Sequence, residues 1–213
     1  MVRGALIVLL AWLAGPAAAT QDAWPALFDV AGVASDDVLN VRSRPAASAP
    51  IVAELGPDAQ GIEVIRPDAG HGWGLVNTGE GTGWVSLRYL ARRPGQWSGA
   101  FPPLARCFGT EPFWTLDMGR GDAAAWLVPG GTVPGRITGR LGSLTRRDRH
   151  GLTATLRDGR DIAAVISWRA CSDGMSDRAY GLGFDAILGG VLHSGCCSLS
   201  DGPVAEPVTP APR

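Results

Sequence analysis

Asp37-Val38-Leu39-Asn40-Val41-Arg42-Ser43-Arg44-Pro45 reads at once as a strand, a strand end and the start of a loop. Val38, Asn40 and Arg42 point one way while Leu39 and Val41 point the other, the period-2 alternation of a half-buried strand. Pro45 then denies the ladder an N–H and ends it. Outward from this stretch, Leu27-Phe28-Asp29-Val30, Ile51 to Leu55 and Ile62 to Ile65 are each of strand length, with a turn at Gly56-Pro57-Asp58. Gly70 to Val76 and Gly83-Trp84-Val85 form a last hairpin across Asn77 to Thr82. Short strands joined by tight turns suit a small barrel.

The Leu39-Asn40-Val41-Arg42 run with a nearby Pro, and Gly83-Trp84-Val85 ahead of Leu87-Arg88-Tyr89-Leu90, resemble the bacterial SH3-like (SH3b) domain from Leu27 to Leu90. The domain is drawn at residues 24–92. The resemblance implies a shallow groove with exposed aromatic side chains, for which Trp73, Trp84 and Tyr89 are the candidates, with Asn40, Arg42 and His71 as polar neighbours. Such a groove suits a peptide, since aromatics offer rigid contact area and a few polar groups set orientation. In the family the usual ligand is the peptide part of cell-wall peptidoglycan. The competing expectation is that Trp73 and Trp84 fill the barrel core and bind nothing.

The chain of 213 residues is 46% hydrophobic and 18% charged, the composition of a globular protein of one or two domains. Its net charge of −1 supplies no field to attract a polyanion, so nucleic acid is not an expected partner. Near the N-terminus, Arg3, the apolar run from Ala5 to Leu13 and Ala17-Ala18-Ala19 have the order of a signal peptide over residues 1–19, leaving a mature chain that starts near Thr20. That run is shorter than the ~20 residues a spanning helix needs, so no membrane span is expected once the signal is removed. The expected location is the periplasm or the exterior.

Export changes the reading of Cys107, Cys171, Cys196 and Cys197. In an oxidising compartment two bridges are expected, and the adjacent Cys196 and Cys197 are sterically awkward as a mutual pair. Each would then reach one of Cys107 and Cys171, with the pairing left open. A bridge from Cys171 to Cys196 would close a loop of ~25 residues and stabilise by roughly 3 to 4 kcal/mol.

Residues 93–103, with Pro94-Gly95 and Pro102-Pro103, read as a linker, and residues 104–199 as a second, disulfide-containing β domain. Its strand candidates are Phe113 to Met118, Ala125 to Val128, Leu152 to Arg157, Asp161 to Trp168, Gly183 to Leu188 and Val191 to Ser194. Hairpins are signalled at Asp158-Gly159 and Gly189-Gly190. Residues 200–213, rich in Pro and Ala, read as a disordered tail. The fold class expected is all-β: a small SH3-like barrel followed by an antiparallel β-barrel or sandwich.

The Gly109-Thr110-Glu111-Pro112-Phe113-Trp114 and Cys171-Ser172-Asp173-Gly174-Met175-Ser176 boxes, with Gly195-Cys196-Cys197, resemble an uncharacterised family of exported bacterial domains. That likeness implies an envelope location and no activity. Pocket candidates in this domain are Glu111, Trp114, Asp173, Met175, Asp177 and Tyr180. A thiol enzyme would need Cys171 or Cys197 reduced beside His193, which export opposes. Glu111 with Asp173 or Asp177 is the carboxylate pair a glycan hydrolase would need. Cys171, Met175, His193 and Cys196 form a soft ligand set that would suit copper, but cannot be both oxidised and ligating. The expectation is therefore a non-catalytic envelope protein without cofactor or metal, whose SH3b unit binds peptidoglycan or protein peptides. A hydrolase targeted by that unit, and a periplasmic metal or redox sensor, are the alternatives.

Overall fold

Alternation of inward and outward side chains runs through nearly the whole chain. The computed structural model describes residues 22–200 and 205–207, so the expected signal peptide lies outside the described residues. The first unit comprises β1 (Ala26–Val30), β2 (Leu39–Arg42), β3 (Ile51–Leu55), β4 (Ile62–Pro67), β5 (Trp73–Thr78), β6 (Gly81–Ser86) and β7 (Leu90–Arg92). One turn of 3-10 helix, Leu87–Tyr89, precedes β7 and is the only helical element among the described residues. The antiparallel sheet has the order β3-β2-β6-β5-β4-β1-β7, extended at β3 by β16 (Glu206–Pro207). Leu39 and Val41 are buried with Phe28, Val64, Val76 and Val85, whereas Asn40 and Arg42 face outward, as the alternation of β2 predicts.

The second unit comprises β8 (Arg106–Thr110), β9 (Phe113–Met118), β10 (Ala123–Val128), β11 (Gly131–Gly142), β12 (Arg149–Leu156), β13 (Asp161–Cys171), β14 (Tyr180–Leu188) and β15 (Val191–Ser198). Each strand pairs with the next, and β15 returns to pair with β8, closing an eight-stranded up-and-down barrel. Closure removes both sheet edges, which a sandwich would have left open. Leu116, Leu152, Ile166, Leu182 and Phe184 are fully buried, so the interior is packed with side chains. Trp114 stacks on Trp126 with ring centroids 4.9 Å apart. Gly195 makes room beside them: a Cβ there would stand 1.9 Å from the Phe108 carbonyl oxygen.

Two disulfides join the four cysteines, Cys107 to Cys197 and Cys171 to Cys196. Their separate partners follow from strand geometry, because neighbours on β15 point to opposite faces. Cys197 faces the barrel interior and bridges its register partner across the closing β15–β8 seam. Cys196 lies on the other face and reaches past β14 to the end of β13.

The two units are tied together. Gln96, in the expected linker, is buried and holds Leu27 by accepting from its N–H and donating to its carbonyl, at 2.6 and 2.9 Å. Asn77 at the end of β5 does the same to Ala179 of the barrel domain: Nδ2 donates to the Ala179 carbonyl and Oδ1 accepts from its N–H, both at 3.0 Å. Asn77→Ala removes both bonds, and its expected cost is about 1–2 kcal/mol, read as a lower melting temperature of the protein with far-UV spectrum unchanged. Within residues 200–213, expected as a disordered tail, Ala205 is buried and Glu206–Pro207 pairs with β3, because the free edge of that strand offers unpaired backbone groups.

Candidate functional site

Two concave surfaces carry the predicted site residues. The first lies on the outward face of the N-terminal sheet, a groove of about 560 Å³ lined by Asn40, Arg42, Trp73, Tyr89, Asp37 and Arg88, among others. β2 presents Asn40 and Arg42, whose Nη1 donates to the Ala49 carbonyl at 2.8 Å. Trp73 opens β5, and its backbone is fixed by Asp68, which accepts from the N–H groups of Gly70, Gly72 and Trp73. The bond from the Trp73 N–H holds the Asp68 carboxyl below its usual range, burial opposes it, and the Gly70 and Gly72 N–H groups add to the lowering. The 3-10 turn delivers Arg88 and Tyr89, the guanidinium lying 5.6 Å from the phenol ring centroid.

The other two groove candidates fall elsewhere. Trp84 shares the outward face, opposite Leu75 on β5 and Arg42 on β2, but Arg66 covers its ring at 5.0 Å and it does not line the groove. His71 is exposed in the Asp68–Trp73 turn with a left-handed φ of 54° and does not line the groove either. Neither Trp73 nor Trp84 belongs to the buried core, which is aliphatic apart from Phe28.

The second surface is a cavity of about 440 Å³ between the two units. Trp114, Asp173, Met175 and Tyr180 line it. Asp173 organises its loop by accepting from Met175 N–H at 3.0 Å, Ser176 N–H at 2.9 Å and Ser176 Oγ at 2.7 Å, with the Tyr180 hydroxyl at 3.5 Å. Burial raises the Asp173 pKa, but these bonds outweigh it and hold the group below its usual value. Desolvation, then the Asp173 charge, pushes the Tyr180 phenol up. Glu111 and Asp177 are exposed and outside the cavity lining, so the Glu111–Asp173 and Glu111–Asp177 pairs do not assemble there. Asp177 instead donates its backbone N–H to the Glu80 carbonyl across the domain boundary.

The cavity also gathers residues that sequence reading passed over, chief among them Glu63 of β4, Arg106 of β8 and Ser198 of β15. Glu63 read as an ordinary outward strand residue, and its alternation does point it away from the N-terminal core. The barrel then covers it. Burial pushes the Glu63 carboxyl up to about 7, against smaller downward pulls from Ser198, the Leu199 and Ser200 N–H groups and the Arg106 charge. Geometry agrees. Ser198 Oγ stands 2.5 Å from Glu63 Oε2 and 2.8 Å from the Ser200 carbonyl, yet a hydroxyl has one proton to donate. Both contacts are hydrogen bonds when protonated Glu63 donates to Ser198 and Ser198 donates onward to Ser200.

The cysteine chemistries lose their thiols, since all four sulfurs are bridged. His193 lies inside the barrel with its ring 5.1 Å from Trp126 and 5.9 Å from Trp114, on the opposite face of β15 from Cys196. Desolvation, then the Arg160 charge, lowers its pKa. The proposed copper set is therefore not brought together, and no cluster of three or more His, Cys, Asp or Glu side chains suited to a metal exists among the described residues. Nor is any helix among them long and apolar enough to cross a membrane. Comparison with protein-family models, with curated proteins and with solved structures finds no match to this chain.

Proposed function

We propose that this chain is an exported, non-catalytic binding protein of the cell envelope whose N-terminal unit is an SH3-like (SH3b) module that takes a peptide in its outward groove. The observation that carries this reading is convergence: Asn40, Arg42, Trp73 and Tyr89, scattered over the sequence, line one groove, and Trp73 is not spent on the hydrophobic core. Trp73 and Tyr89 supply flat apolar contact, Arg42 and Arg88 meet carboxylates, and Asp37 meets an amine. A short peptide bearing both charges, such as the peptide part of peptidoglycan or an envelope protein segment, fits that pattern. The two disulfides fit maturation in an oxidising compartment.

Sedimentation of purified sacculi with the mature protein tests the reading, scored for bound protein and for released soluble fragments. Binding without fragment release is expected. Trp73→Ala weakens it at least tenfold, about 1.4 kcal/mol, while Trp84→Ala, which leaves the groove intact, changes affinity less than threefold. Absence of binding retires peptidoglycan as the ligand, and release of fragments replaces the adaptor with a hydrolase.

A further inference from the structure

Four charged side chains line the cavity between the domains, and two of them are already occupied by the protein. Asp173 is spent on its own loop. Arg178 donates from Nε to the Gly79 carbonyl at 2.5 Å and lies 3.8 Å from Glu80. Glu63 and Arg106 remain. Glu63 Oε1 is buried and accepts no hydrogen bond, since the Leu199 and Ser200 N–H groups that act on the carboxyl do not reach it in bonding geometry, and the Arg106 guanidinium makes no hydrogen bond or ion pair among the described residues. Their charges act on each other across the cavity, but no ion pair closes the gap between them.

A buried acceptor without a donor is an exception that calls for an explanation, and here it faces a space of about 440 Å³, within the range of small-molecule sites. Apolar side chains of Phe108, Phe113 and Met175 also line it, with the Phe108 ring edge-on to Tyr180 at 5.1 Å. Phe113 and Met175 are more than half exposed, which leaves an apolar surface open at the mouth. An amine alone would satisfy Glu63 and leave Arg106 bare. A carboxylate alone would do the reverse. We infer that the interdomain cavity is a binding site for a free amino acid with a large apolar side chain, its ammonium donating to Glu63, its carboxylate accepting from Arg106, and its side chain lying on the aromatic wall. This inference does not rest on the peptide groove, with which the cavity shares no lining residue.

Isothermal titration calorimetry of the mature two-domain protein at pH 8 provides the test, with phenylalanine, leucine and tryptophan as probes. Saturable binding of at least one is expected. For phenylalanine, phenethylamine and 3-phenylpropanoate each remove one charged group and should bind at least tenfold more weakly. Arg106→Gln, a change at an exposed side chain that leaves the fold intact, should weaken the amino acid at least tenfold and phenethylamine less than threefold; Glu63→Gln should show the converse with 3-phenylpropanoate. Trp73→Ala should leave amino acid binding unchanged, which separates this site from the groove. No saturable binding of the three amino acids, or an affinity indifferent to Arg106→Gln and Glu63→Gln, overturns the proposal.

Discussion

Replacing Cys107 and Cys197 together by alanine lowers the unfolding free energy of the protein by about 4–5 kcal/mol. The reason lies in how the barrel closes. Every other pairing in it joins strands adjacent in sequence, but the β15–β8 seam joins its two ends and has three register pairs, against seven between β14 and β15. Cys197 and Cys107 are the central pair of that seam, and their bridge spans a sequence separation of 90 residues. Cross-linking so long a loop removes more entropy from the unfolded chain than the bridge from Cys171 to Cys196, whose separation is 25. The second bridge is accordingly worth less, roughly 3 to 4 kcal/mol on the same reasoning. Paired substitutions leave no free thiol to exchange with the remaining bridge. Urea unfolding of the two double variants checks the order, and a loss below about 2 kcal/mol for Cys107 and Cys197 would mean that strand pairing alone holds the seam.

The second large effect is electrostatic. Glu63 has an ordinary carboxyl pKa in the unfolded chain and one of about 7 in the folded protein, so the folded state binds more protons between those values. Stability contributed by the protonated carboxyl is complete below the unfolded value, near 4.5, and is lost as the pH rises through about 7. The full difference is about 3 kcal/mol. Glu63→Gln keeps the shape and lets an amide N–H donate to Ser198 at every pH. The variant should match the parent near pH 4 and exceed it by up to about 3 kcal/mol at pH 8. Charged or titratable groups lining the same cavity are Arg106, Asp173, Arg178 and Tyr180, and all are common to both proteins. The difference between the two stability curves therefore isolates Glu63. Parallel curves from pH 4 to 8 would show that water reaches its carboxyl.

Much of the strand pattern was legible in the chain. The alternation at Leu39–Arg42 named the inward and outward faces of β2, and the hairpins at Asp158-Gly159 and Gly189-Gly190 stand where the turn residues signalled them. The all-β class followed from these local signals. β11 is the main strand that went unread. Gly131, Pro134, Gly135, Gly139 and Gly142 all argue against a strand, yet it is the longest in the barrel. There the neighbouring strands β10 and β12 supply the order that the residues lack. A Cβ at Gly135 would meet the Thr155 carbonyl oxygen at 2.8 Å, so close packing selects what local propensity disfavours.

The sites divide along the same line. Residues that a local turn or strand face brings together, such as Asn40 and Arg42, or Asp173 and Met175, were readable as groups because neighbours in sequence are neighbours in space. Trp84 shows the limit of that logic, since its face was right but the Arg66 guanidinium that covers it comes from another strand. Glu63, Arg106 and Ser198 carried no signal at all. Each has an unremarkable local context, and their chemistry arises where β4 of one domain is pressed against β8 and β15 of the other. By itself the sequence determined which residues alternate, where the chain turns and which adjacent cysteines were disfavoured as a mutual pair. Only the tertiary structure decided which cysteines do pair and which outward carboxyl becomes a buried one, because desolvation and ring closure belong to contacts between segments far apart in the chain.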